Sequence, residues 1–295
     1  MTRTWDAPGR GVSHKALPAS GKSLAPGLYV VSTPIGHARD VSLRALDVLA
    51  DADLIAAEDT RVTAKLLAIY GIEKPLTAYN DHNAPRERPK LLAKLAQGAR
   101  LALVSDAGTP LVSDPGYKLV REALAAGIAV QAVPGASASL AALASAGLPT
   151  DRFLFAGFLP VKSGERRRVL EEFKALRATL VFFEAPQRLA ESLADMAEIF
   201  GPRPAAVTRE LTKLHEEIKR GDLAALAKDY STQPKGEIVV LVAPAEAAGP
   251  DWLRIERALD KALDFMPLSA AVDLVAEMLE APRREVYARA LAKKR

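Results

Sequence analysis

An apolar run, Leu101-Ala102-Leu103-Val104, ends in two clustered turns, Ser105-Asp106-Ala107-Gly108-Thr109-Pro110 and Ser113-Asp114-Pro115-Gly116. Loops this rich in Gly, Pro and short hydroxylic side chains let a ligand approach the backbone, and Gly108 permits conformations other residues avoid. At the carboxyl end of a parallel strand, such a loop is where open α/β sheets place ligands. The stretch therefore predicts a small-molecule site. Polar or Gly/Pro-rich ends recur at Ser32-Thr33-Pro34-Ile35-Gly36, Glu58-Asp59-Thr60-Arg61, Asn80-Asp81-His82-Asn83 and Pro134-Gly135-Ala136-Ser137. Taken singly, several have plainer explanations. Glu58 to Arg61 reads as a helix N-cap with acidic residues at the positive end of the helix. Arg209 to Glu217 reads as a solvated charge run. Lys162 to Arg168 reads as an exposed helix start or as a phosphate-contacting patch.

The elements that must hold these loops alternate. Strands are predicted at Leu28–Val31, Leu54–Ala57, Leu76–Tyr79, Leu101–Val104 and Val130–Val133. Helices are predicted at Ser42–Ala50, Thr63–Tyr70, Arg86–Gln97, Tyr117–Ala126 and Ser137–Ala146. Such alternation means a parallel sheet covered by helices, with its polar strand ends along one edge. Near Pro149 the character changes. Strands are predicted at 153–158, 179–183, 205–208 and 238–242, with helices at 165–176 and 189–200, as a second α/β domain with more antiparallel pairing. The expected organisation is a disordered lead-in over 1–26, domains over 27–148 and 149–245, an Ala/Gly/Pro linker, and a helical, basic tail over 251–295. In the tail, apolar spacing over Leu268–Glu280 and a second segment from Arg283, broken by Ala281-Pro282, read as a helix-turn-helix or as a packing hairpin.

Composition sets the outer limits. The chain has 295 residues, 49% hydrophobic and 26% charged, which is ordinary globular composition with room for two domains. Cysteine is absent, so neither disulfides nor thiolate metal sites arise. The four histidines lack metal-ligand spacing, and no metal site is expected. No apolar run reaches the roughly 18 residues of a membrane span, and the first residues lack a signal-peptide core. The net charge of +4 permits a nucleic-acid partner without demanding one. No G-x-G-x-x-G follows a strand, so a dinucleotide site is unsupported.

The motifs in order resemble one family. Thr33-Pro34-Ile35-Gly36, Ala57 to Arg61, Ser105 to Pro110, Ser113 to Gly116, Pro134-Gly135, Phe183-Glu184, Arg209-Glu210-Leu211-Thr212-Lys213 and Lys235-Gly236-Glu237 are similar to the ribosomal RNA small subunit methyltransferase I family of the tetrapyrrole methylase superfamily. The resemblance runs from about Gly27 to Pro244. It implies a two-domain α/β fold with S-adenosylmethionine in the cleft between the domains. It also implies 2′-O-methylation of a cytidine ribose in the decoding region of 16S rRNA and a homodimer. The expected partner is 16S rRNA in the 30S subunit, though the sequence does not choose between free RNA and the assembled subunit, and the absence of cysteine fits a reducing cytoplasm. By position, the methyl-donor contacts are Pro34, Ala107, Gly108, Thr109, Val112, Ser137, Ala138, Glu184, Leu211, Gly236 and Glu237. The chain departs from the family pattern at His37, where Asn is usual, and at Ala136, where Pro is common. It departs again at Gln187, where His is usual. A glutamine there argues against an essential base at that position.

Methyl transfer to a ribose hydroxyl needs alignment and a proton acceptor. The candidate catalytic groups are Asp59, Asp106 and Lys213. Asp59 or Asp106 would take the proton, and nothing in the sequence chooses between them. Arg61 and Lys213 would hold phosphate oxygens. Lys162, Arg166, Arg167, Arg283 and Arg284 complete the expected RNA contacts. Two other activities compete: a methylase acting on a tetrapyrrole, and a non-enzymatic RNA-binding assembly factor.

Overall fold

A computed structural model describes residues 24–246 and 251–293, so most of the expected lead-in, part of the linker and the last two residues lie outside the described residues. The described residues form two units, one ending at Ala245 and the other beginning at Glu246.

The first unit is built on two sheets. Strands β1 (Gly27–Val31), β2 (Leu54–Ala57), β3 (Leu76–Ala78), β4 (Arg100–Val104) and β5 (Val130–Val133) form an all-parallel sheet in the order β3-β2-β4-β1-β5. Strands covered on both faces read as continuous apolar runs, and all five residues of β1 are buried. Helices α1 (Leu43–Asp51) and α2 (Thr60–Ile69) bring Val48, Leu49 and Leu67 against Tyr29, Val31 and Ile55. On the opposite face, α3 (Ala84–Ala96) and α4 (Tyr117–Ala125) bring Leu91, Leu95 and Leu119 against Leu28, Leu101 and Leu103. The helices that follow the adjacent strands β1 and β4 thus leave to opposite faces. That makes the gap between these two strand ends the switch point of the sheet, where a crevice opens.

The second sheet is mixed. Strands β6 (Phe153–Phe158), β7 (Thr179–Glu184), β8 (Pro204–Arg209), β9 (Glu217–Asp222) and β10 (Ile238–Val242) lie in the order β6-β7-β10-β8-β9. Only β6 and β7 pair in parallel, with a bulge between Phe155 and Gly157. Helices α6 (Ser163–Phe173), α7 (Leu189–Phe200) and α8 (Leu223–Asp229) cover one face. The other face takes α5 (Ala138–Ala146), whose Ala142, Leu143 and Ala146 pack on Val181, Ala206 and Leu241. This helix lies in the stretch assigned by sequence to the first domain, yet its apolar face is spent on the second sheet.

Two elements were not foreseen. Strand β9 pairs with β8 from Arg209 opposite Glu217 to Pro204 opposite Asp222. It is a charged edge strand with one apolar side chain, Ile218, and edges of this kind resist intermolecular pairing. Helix α8 follows at once, capped by Asp222, whose Oδ1 accepts the Ala225 N–H at 2.9 Å.

The second unit holds three helices, where two had been delineated around a turn: α9 (Trp252–Leu263), α10 (Leu268–Met278) and α11 (Arg283–Lys293). Ile255, Leu259, Val272, Val275, Val286 and Ala290 form its own core. Arg289 pairs with Glu256 at 2.6 Å and lies over the Trp252 ring, fastening α11 to α9.

Candidate active site

The loops after β1 and β4 are laced together. Thr33 and Gly108 exchange both backbone hydrogen bonds, at 2.9 and 3.0 Å. The Ser32 and Thr109 hydroxyls lie 3.0 Å apart, and the Thr33 hydroxyl donates to the Ser105 carbonyl. Thr109 also donates to the Ala136 carbonyl, which brings in the loop after β5. Gly108 sits at φ +74°, a left-handed conformation that favours glycine.

The second sheet faces these loops with one edge. Ile238 pairs with Glu184 on one side and Arg209 on the other. The end of β7, the end of β8 and the start of β10 therefore emerge side by side. Between them and the laced loops lies a cavity of about 340 Å³. It is lined mainly by apolar groups with a few convergent polar ones, the composition of small-molecule sites.

Ala107, Gly108, Thr109, Val112, Ser137, Ala138, Glu184, Leu211, Gly236 and Glu237 all line this cavity. Pro34 does not; it is buried beside Ile35, which does. Ser113, Asp114 and Phe183, from motifs singled out in the sequence but not counted as donor contacts, also line it, and sequence reasoning missed Phe158, Ala185, Pro186, Thr208, Ile238 and Val239. Phe158 and Phe183 meet edge to face at 5.6 Å between centroids, and the aromatic run at 153–158 was the available signal.

Glu184 is the buried charge of the wall. Its carboxylate accepts from the Ala185 N–H at 2.7 Å and from the Ser192 hydroxyl, and it pairs with Arg188. Arg188 also donates to the Leu159 carbonyl, so the ion pair fixes the Ala185-Pro186 rim. Gln187 lies in the short 3-10 turn of that rim.

Asp59, Asp106 and Lys213 are not in the lining. Asp59 caps α2, accepting from the Arg61 N–H at 2.8 Å, and its carboxylate binds the Arg61 guanidinium at 2.6 Å. Those bonds from Arg61 lower its carboxyl to about 2. The Asp59 N–H donates to Asp106 Oδ1 at 3.0 Å, and the Asp106 N–H donates to Glu58 Oε2 at 3.1 Å. The acidic residues at the ends of β2 and β4 therefore tie two loops to each other. Lys213 reaches the cavity through a partner: its Nζ lies 2.8 Å from Glu210 and 3.3 Å from the cavity-lining Glu237.

The basic run at 162–168 divides. Lys162 is 82% exposed. Arg166, expected among the RNA contacts, is 1% exposed and donates to Asp195 at 2.6 Å and to the Val161 carbonyl. Its charge holds α6 to α7 and is withdrawn from any RNA, because Asp195 on α7 buries it. Arg167 is half exposed but pairs with Asp195 and Glu198. Burial pushes the Asp195 carboxyl up, yet hydrogen bonds from Arg167, Arg166 and Ser163 outweigh it and leave it below the usual range. Arg61 is 85% exposed. In the second unit, Arg283 pairs with Asp273, and Arg284 is exposed. No group of side chains able to hold a metal occurs among the described residues, and none of their helices is long and apolar enough to cross a membrane.

Comparison with known proteins gives the class first. Residues 27–227 match the family of tetrapyrrole (corrin/porphyrin) methylases, and residues 249–294 match the RsmI C-terminal HTH domain. A solved uroporphyrin-III C-methyl transferase from Thermus thermophilus, complexed with S-adenyl homocysteine, shares the fold at 21% identity and a TM-score of 0.51, covering 73% of this chain and 96% of that one. Fold and family together define a methyltransferase with the tetrapyrrole-methylase architecture. Ribosomal RNA small subunit methyltransferase I of Mesorhizobium japonicum is 53% identical over 95% of this chain and 96% of its own. The Pseudomonas aeruginosa protein of the same name is 48% identical over 90% and 96%. The chain belongs to the ribosomal RNA small subunit methyltransferase I family.

Proposed function

We propose that this chain transfers a methyl group from S-adenosylmethionine to the 2′-hydroxyl of a cytidine in the decoding region of 16S rRNA, acting on the 30S subunit in the cytoplasm as a homodimer. The observation that carries the reading is the cavity at the switch point, whose lining includes ten of the eleven positions expected to contact the donor. The lining suits the donor chemically. Phe158, Phe183, Leu211 and Val239 offer apolar surface for a purine and a thioether chain. Asp114 and Glu237 offer carboxylates for a cation and for ribose hydroxyls. When bound, the sulfonium supplies an electrophilic methyl group.

The protein's own part is alignment, exclusion of water and acceptance of one proton. Glu184 keeps the Ala185-Pro186 rim in place through its three donors. The reciprocal bonds of Glu58, Asp59 and Asp106 hold the β2 and β4 loops in register beside the laced turns. The Asp59 carboxylate is engaged by Arg61, and Asp59 and Asp106 both stay candidates for the proton acceptor, with Arg61, Lys162, Arg283 and Arg284 as phosphate contacts.

The deciding experiment offers 30S subunits, free 16S rRNA and uroporphyrinogen to the purified protein with labelled S-adenosylmethionine, then maps the modified nucleotide. Label on a decoding-region cytidine ribose of 30S subunits is expected. Label on uroporphyrinogen alone, or a 16S mark on a base nitrogen or carbon, would overturn the reading. Light scattering should give twice the 31.5 kDa chain mass.

A further inference from the structure

The segment between β8 and β9 is wound unusually. Glu210 at φ +52° and Thr212 at φ +64° both adopt the left-handed conformation without being glycine, and Thr212 is β-branched. Such residues persist only where their surroundings over-determine them. Leu211, between them, lines the cavity.

The surroundings are specific. The Glu210 N–H donates to the Glu237 carbonyl at 2.9 Å, and the Glu237 N–H donates back to Glu210 Oε1 at 2.9 Å. Lys213 Nζ donates to the same Oε1 at 2.8 Å. The Thr212 N–H donates to Glu216 at 2.6 Å, and the Thr212 hydroxyl oxygen accepts the His37 N–H at 3.1 Å. Two glycines make room. A Cβ on Gly236 would sit 2.5 Å from Glu210 Oε1, and a Cβ on Gly36 would sit 2.5 Å from Lys213 Cγ. Burial pushes the Glu210 carboxyl up, but Lys213 and the Glu237 N–H outweigh it and hold it below the ordinary range.

We propose that Glu210, which does not itself line the cavity, is a positioning residue for methyl transfer: by binding the Glu237 N–H and the Lys213 ammonium with one carboxylate oxygen, it locks Leu211 and Gly236-Glu237 into the donor-facing wall, while Thr212 ties the same segment to the Gly36-His37 turn of the first sheet. The proposal deepens the reading of the cavity as the donor site and rests on it. Without the carboxylate, the main-chain bond from the Glu210 N–H to the Glu237 carbonyl and the Thr212 bonds remain, but the Glu237 N–H and the Lys213 ammonium lose their shared acceptor, so the Leu211 and Glu237 wall loosens. Glu210→Gln keeps the oxygen that accepts from Glu237 but loses the charge that holds Lys213. Glu210→Ala loses both.

The test measures S-adenosylmethionine affinity by calorimetry, KM and kcat on 30S subunits, and the melting temperature, for wild type, Glu210→Ala, Glu210→Gln and Ala138→Phe. Ala138→Phe fills the cavity from the start of α5. Removing bonds to a charged group predicts a donor Kd raised about 30-fold in Glu210→Ala. Partial rescue, to about 5-fold, is expected in Glu210→Gln, with KM for the donor rising more than kcat falls. If Glu210→Ala does not fold, Glu210→Gln carries the measurement. Unchanged donor affinity in the Glu210 variants, with or without a lower melting temperature, overturns the positioning role, provided Ala138→Phe abolishes binding. Should Ala138→Phe bind as wild type does, the cavity is not the donor site and both readings fall.

Discussion

The two sheets of the first unit reach one cavity by different means. Apart from the Asp114 carboxylate, the parallel sheet offers mainly backbone and short side chains such as Ala107, Gly108, Thr109, Ser113 and Ser137, cross-tied by main-chain and hydroxyl bonds. The mixed sheet offers aromatic rings and carboxylates, with Glu184 and Glu237 each held by a basic partner. A wall of the first kind is fixed by conformation and steric room. A wall of the second kind is fixed by charges that must stay paired. The two should therefore fail differently.

The largest effect is expected where the second sheet's charge is deepest. Asp195→Ala leaves Arg166 buried without its principal partner, at a cost of about 3–5 kcal/mol. Its counterpart in the first sheet, Asp53 paired with Arg100, sits at the surface, and Asp53→Ala should cost under about 1 kcal/mol. Urea unfolding of the two variants measures the contrast, and equal losses would erase it. Next come the glycines. Gly236→Ala meets both a left-handed φ of +102° and the Glu210 side chain, so donor binding should fall more than about 100-fold. Gly108→Ala meets only the φ penalty, since its nearest neighbours would be 3.5 Å away. It should cost about 1 kcal/mol and bind the donor within about tenfold. Calorimetry with S-adenosylmethionine ranks the pair; the reverse order would mean that backbone conformation at Gly108 costs more than the lost room at Gly236.

The same contrast decides what the sequence made legible. Buried parallel strands announce themselves as apolar runs such as Leu101–Val104, closed by small polar turns, so the first sheet and its loops were readable one segment at a time. Strand β9 carries Ile218 among Glu217, Lys219, Arg220 and Asp222 and has no apolar run to announce it. Thr208, Ile238 and Val239 line the cavity because of antiparallel register, with Ile238 opposite both Glu184 and Arg209, and register joins segments that no local pattern connects. Arg166 shows the same limit. A run of arginines looks solvated until Asp195, on the next helix, is known to face it.

The smallest effects belong to the exposed charges at the ends of β2 and α2. Asp59→Ala removes an N-cap and should cost about 1 kcal/mol of stability; the main-chain N–H that donates to Asp106 survives, so turnover falls more than donor affinity only if the Asp59 carboxylate itself takes the proton. Asp59→Asn can still cap but cannot pair with Arg61. Because the folded carboxyl lies near 2, below the unfolded value of about 4, the ionic part of its contribution is fully present above about pH 4 and is lost as pH falls towards 2. The difference in melting temperature between wild type and Asp59→Asn should therefore be constant from pH 7 to 5 and shrink below pH 4. Arg61→Gln should be mildest for the fold. Its side chain is 85% exposed, so beyond the Asp59 ion pair what it would lose is the proposed phosphate contact. Binding to 30S subunits should weaken a few-fold, with the slope of log affinity against log salt falling by about one unit. Arg166→Gln, by contrast, should leave that slope unchanged while lowering the melting point, since its charge faces Asp195 and not solvent.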